Sequence, residues 1–390
     1  MTNTRLPLNS SCTFTSKLWE LGSTSLYYRL NYSITIDDFK RIFYMEWGHR
    51  ILGRLIGVVF IGPLAYFMLR KKLSISMGAR LTGLAGLIGV QGLLGWYMVK
   101  SGLEDSLLDT PGAVPRVSQY RLAAHLGLAF VLYSGMFGTG MAAIKDWKFG
   151  HGGRWSGADG KSFDYILKNT QVKWFRRQSW ALTALVFLTA LSGKPHFTYI
   201  LDNRYLFKQN SGAFVAGLDA GLVYNEFPLM GGRLAPPIDE LFSPAFAKNA
   251  DASDTWWRNF FENPTTVQFD HRVLVSPTVY SNDRESMSIL YPQAFTTYLS
   301  SAILYAQTFR PSLRAVLPPL ARVGATAVFA VANVQVLLGI STLIYLVPVP
   351  LAATHQAGSV ALLSAMIHLL VTLRRPGIAA RIWRKAGVNK

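Results

Sequence analysis

Apolar runs of about 20 residues constrain this chain most, because a helix needs roughly that length to cross the hydrocarbon of a bilayer. Such runs occupy residues 51–69, 81–99, 122–144, 324–347 and 353–373. Two less clean runs lie near 180–191 and 294–307, and each abuts a polar stretch. In lipid every backbone polar group must be satisfied within its own segment, so such runs read as helices. The expected fold class is all-α, a polytopic bundle of membrane helices. Composition agrees: half of the 390 residues are apolar and only 15% are charged, a balance unlike that of a soluble enzyme.

The net charge is +18. In a soluble chain that surplus would point to nucleic acid. Here Lys and Arg cluster between the apolar runs, at 70–80, 145–177, 310–322 and 374–390. This is the positive-inside pattern of membrane loops, and it argues against a nucleic-acid partner. The opposite face carries 103–119 and the long 222–268 loop, where most acids lie. Cys12 is the single cysteine, so there is no internal disulfide and no Cys-rich metal site. Iron, if bound, has to be held by histidine. The first twenty residues, with Arg5, Lys17, several Ser and Thr and the one acid Glu20, fit either a transit peptide or an ordinary polar N-terminus.

Four histidines open spans. His49, His125, His271 and His355 each stand where a span leaves the acidic face for the basic one. All four are therefore expected at similar depth near one membrane surface. The chain also repeats itself. Val90-Gln91-Gly92-Leu93-Leu94-Gly95 is echoed by Val334-Gln335-Val336-Leu337-Leu338-Gly339. His49-Arg50-Ile51-Leu52 is echoed by His271-Arg272-Val273-Leu274, and His125-Leu126-Gly127 by His355-Gln356-Ala357-Gly358. Order and direction match, which makes a parallel repeat with an axis along the membrane normal.

A histidine in a span is costly without a partner or a task. One alone is as readily a packing residue. Four in matched positions suggest two sites, since two imidazoles from different helices can ligate a heme iron from both sides. His151 reads as a solvated loop residue, His196 falls in a polar interruption, and His368 lies too deep to share a site with His355. Glu46 shares a helix face with His49 three residues later. It is either a reactive carboxylate or a solvated partner of Arg50. The matching residue of the second half, Gln268, cannot ionise, so the first half reads as reactive and the second as ligating only.

These residues resemble a known family. The stretches 39–50 (FKRIFYMEWGHR), 115–125 (PRVSQYRLAAH), 225–232 (NEFPLMGG) and 353–356 (ATHQ) look like mitochondrial heme A synthase, over roughly residues 36–376. The resemblance implies oxidation of a methyl group of heme O to the formyl group of heme A for cytochrome c oxidase. It implies two pseudo-symmetric four-helix halves in the mitochondrial inner membrane. His271 and His355 would ligate a resident heme b; His49 and His125 would hold the substrate heme, with Glu46 catalytic beside it. A ferredoxin-type electron donor is implied, and heme O synthase and a second copy of the chain are further candidate partners.

The sequence departs from this family in three places. The span expected before Asp38 is absent from the polar N-terminus. Residues 194–212 and 275–293 interrupt two spans with polar sequence, including Asp202, Arg204, Asp283, Arg284 and Glu285. Such charges are expensive in hydrocarbon. Removing each stretch restores an apolar run of normal length, as expected of unspliced introns or gene-model errors; true extramembrane insertions are the alternative. The expected organisation is a divergent N-terminus (1–35), a substrate-heme half (36–177), a heme b half (178–376) with those two inserts, and a basic tail (377–390). The rival functions are a di-heme electron-transfer protein, which would not need Glu46, and a transporter, which would want broken helices and midplane charges.

Overall fold

The computed structural model describes residues 36–102, 118–158, 162–192, 218, 220–272 and 293–388. The N-terminal 1–35, most of both interruptions, His196 and residues 115–117 of the second motif lie outside them. Among the described residues there are 13 α-helices and no strand; Met230 and Arg233 form one isolated bridge. The chain divides into two compact units, 1–118 and 119–390.

The first unit is a helical hairpin. Helix α1 (Ile36–Leu69) runs for 34 residues, about 50 Å, longer than the roughly 30 Å hydrocarbon core. Its start is polar, with Lys40 paired to Asp37 at 3.5 Å, and its apolar stretch is Phe43–Leu69. A tight turn follows in which Lys71 takes a positive φ and the Lys72 N–H reaches back to the Phe67 carbonyl at 2.9 Å. Helix α2 (Ile75–Gly102) then returns. Large apolar side chains such as Val58, Val59 and Leu93 are exposed, as expected where the surrounding solvent is lipid.

The second unit begins with α3 (Gln119–Gly150), the short α4 (Phe163–Lys168) and α5 (Thr170–Ser192). The acidic-face loop follows, with α6 (Ile238–Leu241), α7 (Thr255–Glu262) and α8 (Pro264–Arg272). Then come α9 (Gln293–Gln307), α10 (Pro311–Arg314), α11 (Pro319–Ile344), α12 (Val349–Thr372) and α13 (Ile378–Val388). Among the described residues five helices are long and apolar enough to cross a membrane: α1, α2, α3, α11 and α12. The chain is a polytopic helical membrane protein.

Small residues let α11 and α12 approach closely, as membrane helices do in place of a hydrophobic driving force. Ala321, Ala325, Val328 and Ala332 recur at helical spacing and are buried. A Cβ on Gly324 would come within 3.2 Å of Leu369. Helix α11 ends at Ile344, short of the expected 347. Leu346 and Val347 turn to φ of 60° and 57°, and Pro348 opens α12. The Val347 N–H donates to the Thr342 carbonyl at 2.7 Å and the Leu346 N–H to that of Leu343 at 3.1 Å, a left-handed closing turn that explains the early stop.

The basic face is locked by polar contacts. Lys145 donates to the last carbonyls of α12, Val371 and Thr372, both at 2.8 Å, and to the Ser156 hydroxyl. A cation there satisfies orphan carbonyls and opposes the helix dipole. Arg374 forks onto Asp146 at 3.0 and 2.6 Å. Helix α13 docks through Trp383, packed on Gly150, and leaves Ile378 and Ile382 exposed. With Arg381, Arg384 and Lys385 beside those side chains, it has the makeup of a helix lying in the membrane interface.

Candidate functional site

The site of the second unit is built from the acidic-face loop inward. Asn259 is fully buried. Its amide donates to the carbonyls of Ser243 (3.1 Å) and Thr255 (2.7 Å) and accepts from the Ser243 N–H (3.1 Å). Asn263 donates to the Glu240 carbonyl at 2.7 Å, and the Thr266 hydroxyl to that of Leu241 at 2.6 Å. Arg258 binds Asp254 and, at 2.8 Å, Glu262, which accepts from the Tyr120 hydroxyl at 3.0 Å. These bonds seat α7 and α8 on the loop and tie the loop to the first turn of α3.

Helix α8 then grips the Asn225–Gly232 motif. Gln268 donates to the Tyr224 carbonyl at 2.9 Å and accepts from its N–H at 3.1 Å. Arg272 donates to the carbonyls of Leu229 (3.0 Å) and Tyr224 (2.8 Å). Asn225 reaches the last turn of α11 through the Leu343 carbonyl at 3.4 Å, and Glu226 accepts from the Gly232 N–H at 2.8 Å. Gln268, the counterpart of Glu46 in the repeat, is thus a buried clamp. His271, between Gln268 and Arg272, is held in place by both.

His355 stands in the second turn of α12 and lies within electrostatic reach of His271. Its ring packs on Gly339 of α11, where a Cβ would sit 3.0 Å from His355 Cε1. Gln335 donates to the His355 carbonyl at 2.8 Å. Gly358 lets Gln335 in, because a Cβ there would fall 2.1 Å from the Gln335 oxygen. His355 Nδ1 is buried and makes no hydrogen bond. Sequence reasoning did not single out Gln335, Gly339 or Gly358 as site residues, although the first two are the polar and small members of the repeated Val-Gln-x-Leu-Leu-Gly.

Two imidazoles from different helices, one with an unspent buried nitrogen, suit a heme iron, whose remaining ligands come from the macrocycle. No group of three or more His, Cys, Asp or Glu that could hold a metal ion occurs among the described residues. The donor set present therefore fits a heme better than an ion caged by protein ligands alone.

His49 and Glu46 belong to the first unit and His125 to the second. Both His49 and Glu46 are exposed on α1, and Glu46 is ion-paired with Arg50 one turn on. His125 lies two turns into α3, partly buried. His151 is exposed, with Nδ1 2.8 Å from the Trp147 carbonyl, and His368 is partly buried within α12.

A polytopic membrane protein of packed helices, with the partly buried His271 and His355 on two helices of its second unit, is the class this fold defines. Within it, the chain belongs to the family described as cytochrome oxidase assembly protein (COX15-CtaA), whose model matches residues 15–194, 204–280 and 293–367. The two unmatched gaps fall inside the interruptions at 194–212 and 275–293. The chain is 41% identical to heme A synthase COX15 of Saccharomyces cerevisiae, over 89% of this chain and 62% of that protein. It is 40% identical to a heme A synthase–mitochondrial ferredoxin fusion protein of Schizosaccharomyces pombe, over 87% and 49%. With heme A synthase of Nitrosospira multiformis the identity is 37%, over 90% and 77%. The chain thus spans 62% and 49% of the length of the first two relatives. No solved structure matches it.

Proposed function

We propose that the protein is a heme A synthase, oxidising a methyl group of heme O to the formyl group of heme A. The observation that supports this reading most is the second-unit site, where Gln335 and Gly339 seat His355 and His271 lies within its electrostatic reach, in a chain whose relatives are named heme A synthases. His271 and His355 would hold a resident heme b, which when bound would supply a one-electron carrier. Gln335, Gly339 and Gly358 fix the His355 ring and backbone. Gln268 and Arg272 fix the end of α8 and with it His271. His49 and His125 would hold the iron of the substrate heme. Glu46, one turn before His49, would accept a proton at its carboxylate as the substrate carbon is oxidised, with Arg50 as its ion-pair partner at rest.

The fused ferredoxin of one relative supports a ferredoxin-type electron donor here. The mitochondrial relatives and the charge pattern support the mitochondrial inner membrane, with the basic loops in the matrix. The two-half organisation, 36–177 and 178–376, remains the reading of the repeat. The di-heme electron-transfer alternative is not favoured by the relatives. Pigment extraction after purification tests the proposal: heme O and heme A are expected beside heme B, whereas heme B alone would point to electron transfer and no heme to transport.

A further inference from the structure

Away from the histidines, α3, α5 and α12 enclose a groove of about 680 Å³ that opens at the basic face. Its volume lies within the range of small-molecule sites, about 300–1,000 Å³. The walls are apolar, with Val131, Ala184, Phe187, Leu363, Ile367 and Leu370 along them. The mouth is cationic, formed by Arg176, Arg374 and Arg375 with Trp180 beside them. From Arg176 to Phe187 the groove follows α5 for about 16 Å at the helical rise.

The charges at the mouth are not equivalent. Arg374 is committed to Asp146, and Arg375 to Asp164 at 2.9 Å. Arg176 is exposed and has no hydrogen bond or ion pair among the described residues. Lys173 and Arg177, exposed on the same stretch of α5, add to the positive field. A neutral or cationic occupant would leave this surplus unanswered.

We infer that the groove is a binding site for an anionic phospholipid of the basic-side leaflet. Its phosphate would lie on Arg176 and the two paired arginines, and one acyl chain would lie along Ala184 and Phe187. Three features of the groove fit this occupant: a cationic rim at headgroup depth, an aromatic side chain of the interfacial kind, and an apolar trough leading toward the bilayer interior. Basic pockets between membrane helices on this side recognise such headgroups.

The test uses the full chain purified in a neutral detergent. Thermal midpoint and retained lipid are measured with added phosphatidylglycerol, phosphatidylcholine or inorganic phosphate. Phosphatidylglycerol should stabilise the protein, and phosphatidylcholine and phosphate should not. Arg176→Gln should weaken the phosphatidylglycerol response about fivefold, the effect of one surface cation. Ala184→Trp should block it by filling the trough. Equal stabilisation by both lipids would make the groove ordinary lipid contact and overturn the proposal. Full protection by phosphate alone, or release of heme instead of lipid from Arg176→Gln, would also overturn it, as would an unchanged response in that variant.

Discussion

At the level of single residues, the repeat singled out His271 and His355 but not the residues packed around them. His271 and His355 were legible because each opens a span and each has a counterpart in the other half. Gln335, Gly339 and Gly358 were not, because a glutamine and two glycines in an apolar helix look like ordinary packing. Only the structure shows Gly339 against the His355 ring, Gln335 on the His355 carbonyl and Gly358 making room for Gln335. His271→Ala should abolish resident heme b; an unchanged low-spin b-type spectrum would refute the assignment. Gln335→Leu keeps the volume but removes the bond to the His355 carbonyl. Residues that orient a ligand commonly govern metal affinity 10–100-fold, so heme retention should fall by roughly that factor in a dissociation assay against a heme-scavenging globin.

Among the elements, the clean spans were easy to place, and the acidic-face loop was not. Helix α5 begins at Thr170, well before the apolar run near 180, because Lys173, Arg176 and Arg177 fill its first turns. Helices α6 to α8 are held by side-chain amides and carboxylates that have no apolar period to read. Asn259→Ala should destabilise the loop by about 1–3 kcal/mol, the cost of stranding buried hydrogen-bonding groups. Faster proteolysis within 240–263 would show it. The same network predicts a pH dependence. Burial is the largest single influence on Asp254 and opposes its ionisation, but Arg258 and the N–H groups of Lys248 and Asn249 together hold its pKa below the ordinary 3.8. A carboxyl with a lowered folded pKa stabilises above its unfolded value and loses that contribution as pH falls through the folded one. Hydrogen-exchange protection of 248–259 should be steady near neutrality and drop below about pH 4. In Asp254→Asn the protection should be lower throughout and lose this pH step.

On the scale of the whole molecule, the interruptions matter most. Helix α8 has nine residues and α9 has 15, and neither alone crosses a bilayer. Joined directly they would make one span of normal length with His271 inside it, as His49 lies inside α1. The family model leaves 195–203 and 281–292 unmatched and matches the rest of both stretches. Sequencing the spliced transcript should find neither; a message containing both would establish them as real insertions. The polytopic class was legible from hydropathy, whereas the runs near 180–191 and 294–307 were harder to read because each abuts polar sequence.

The central claim, conversion of heme O to heme A, is tested most directly in cells that make heme O but no heme A. The chain, with both interruptions removed, is expressed there beside a Glu46→Gln variant, and membrane hemes are quantified. Heme A should appear with the parent chain. With Glu46→Gln it should fall about 10²–10⁴-fold, the usual worth of acid–base help, while heme O accumulates and resident heme b is retained. A parent chain that binds heme yet yields no heme A would contradict the account.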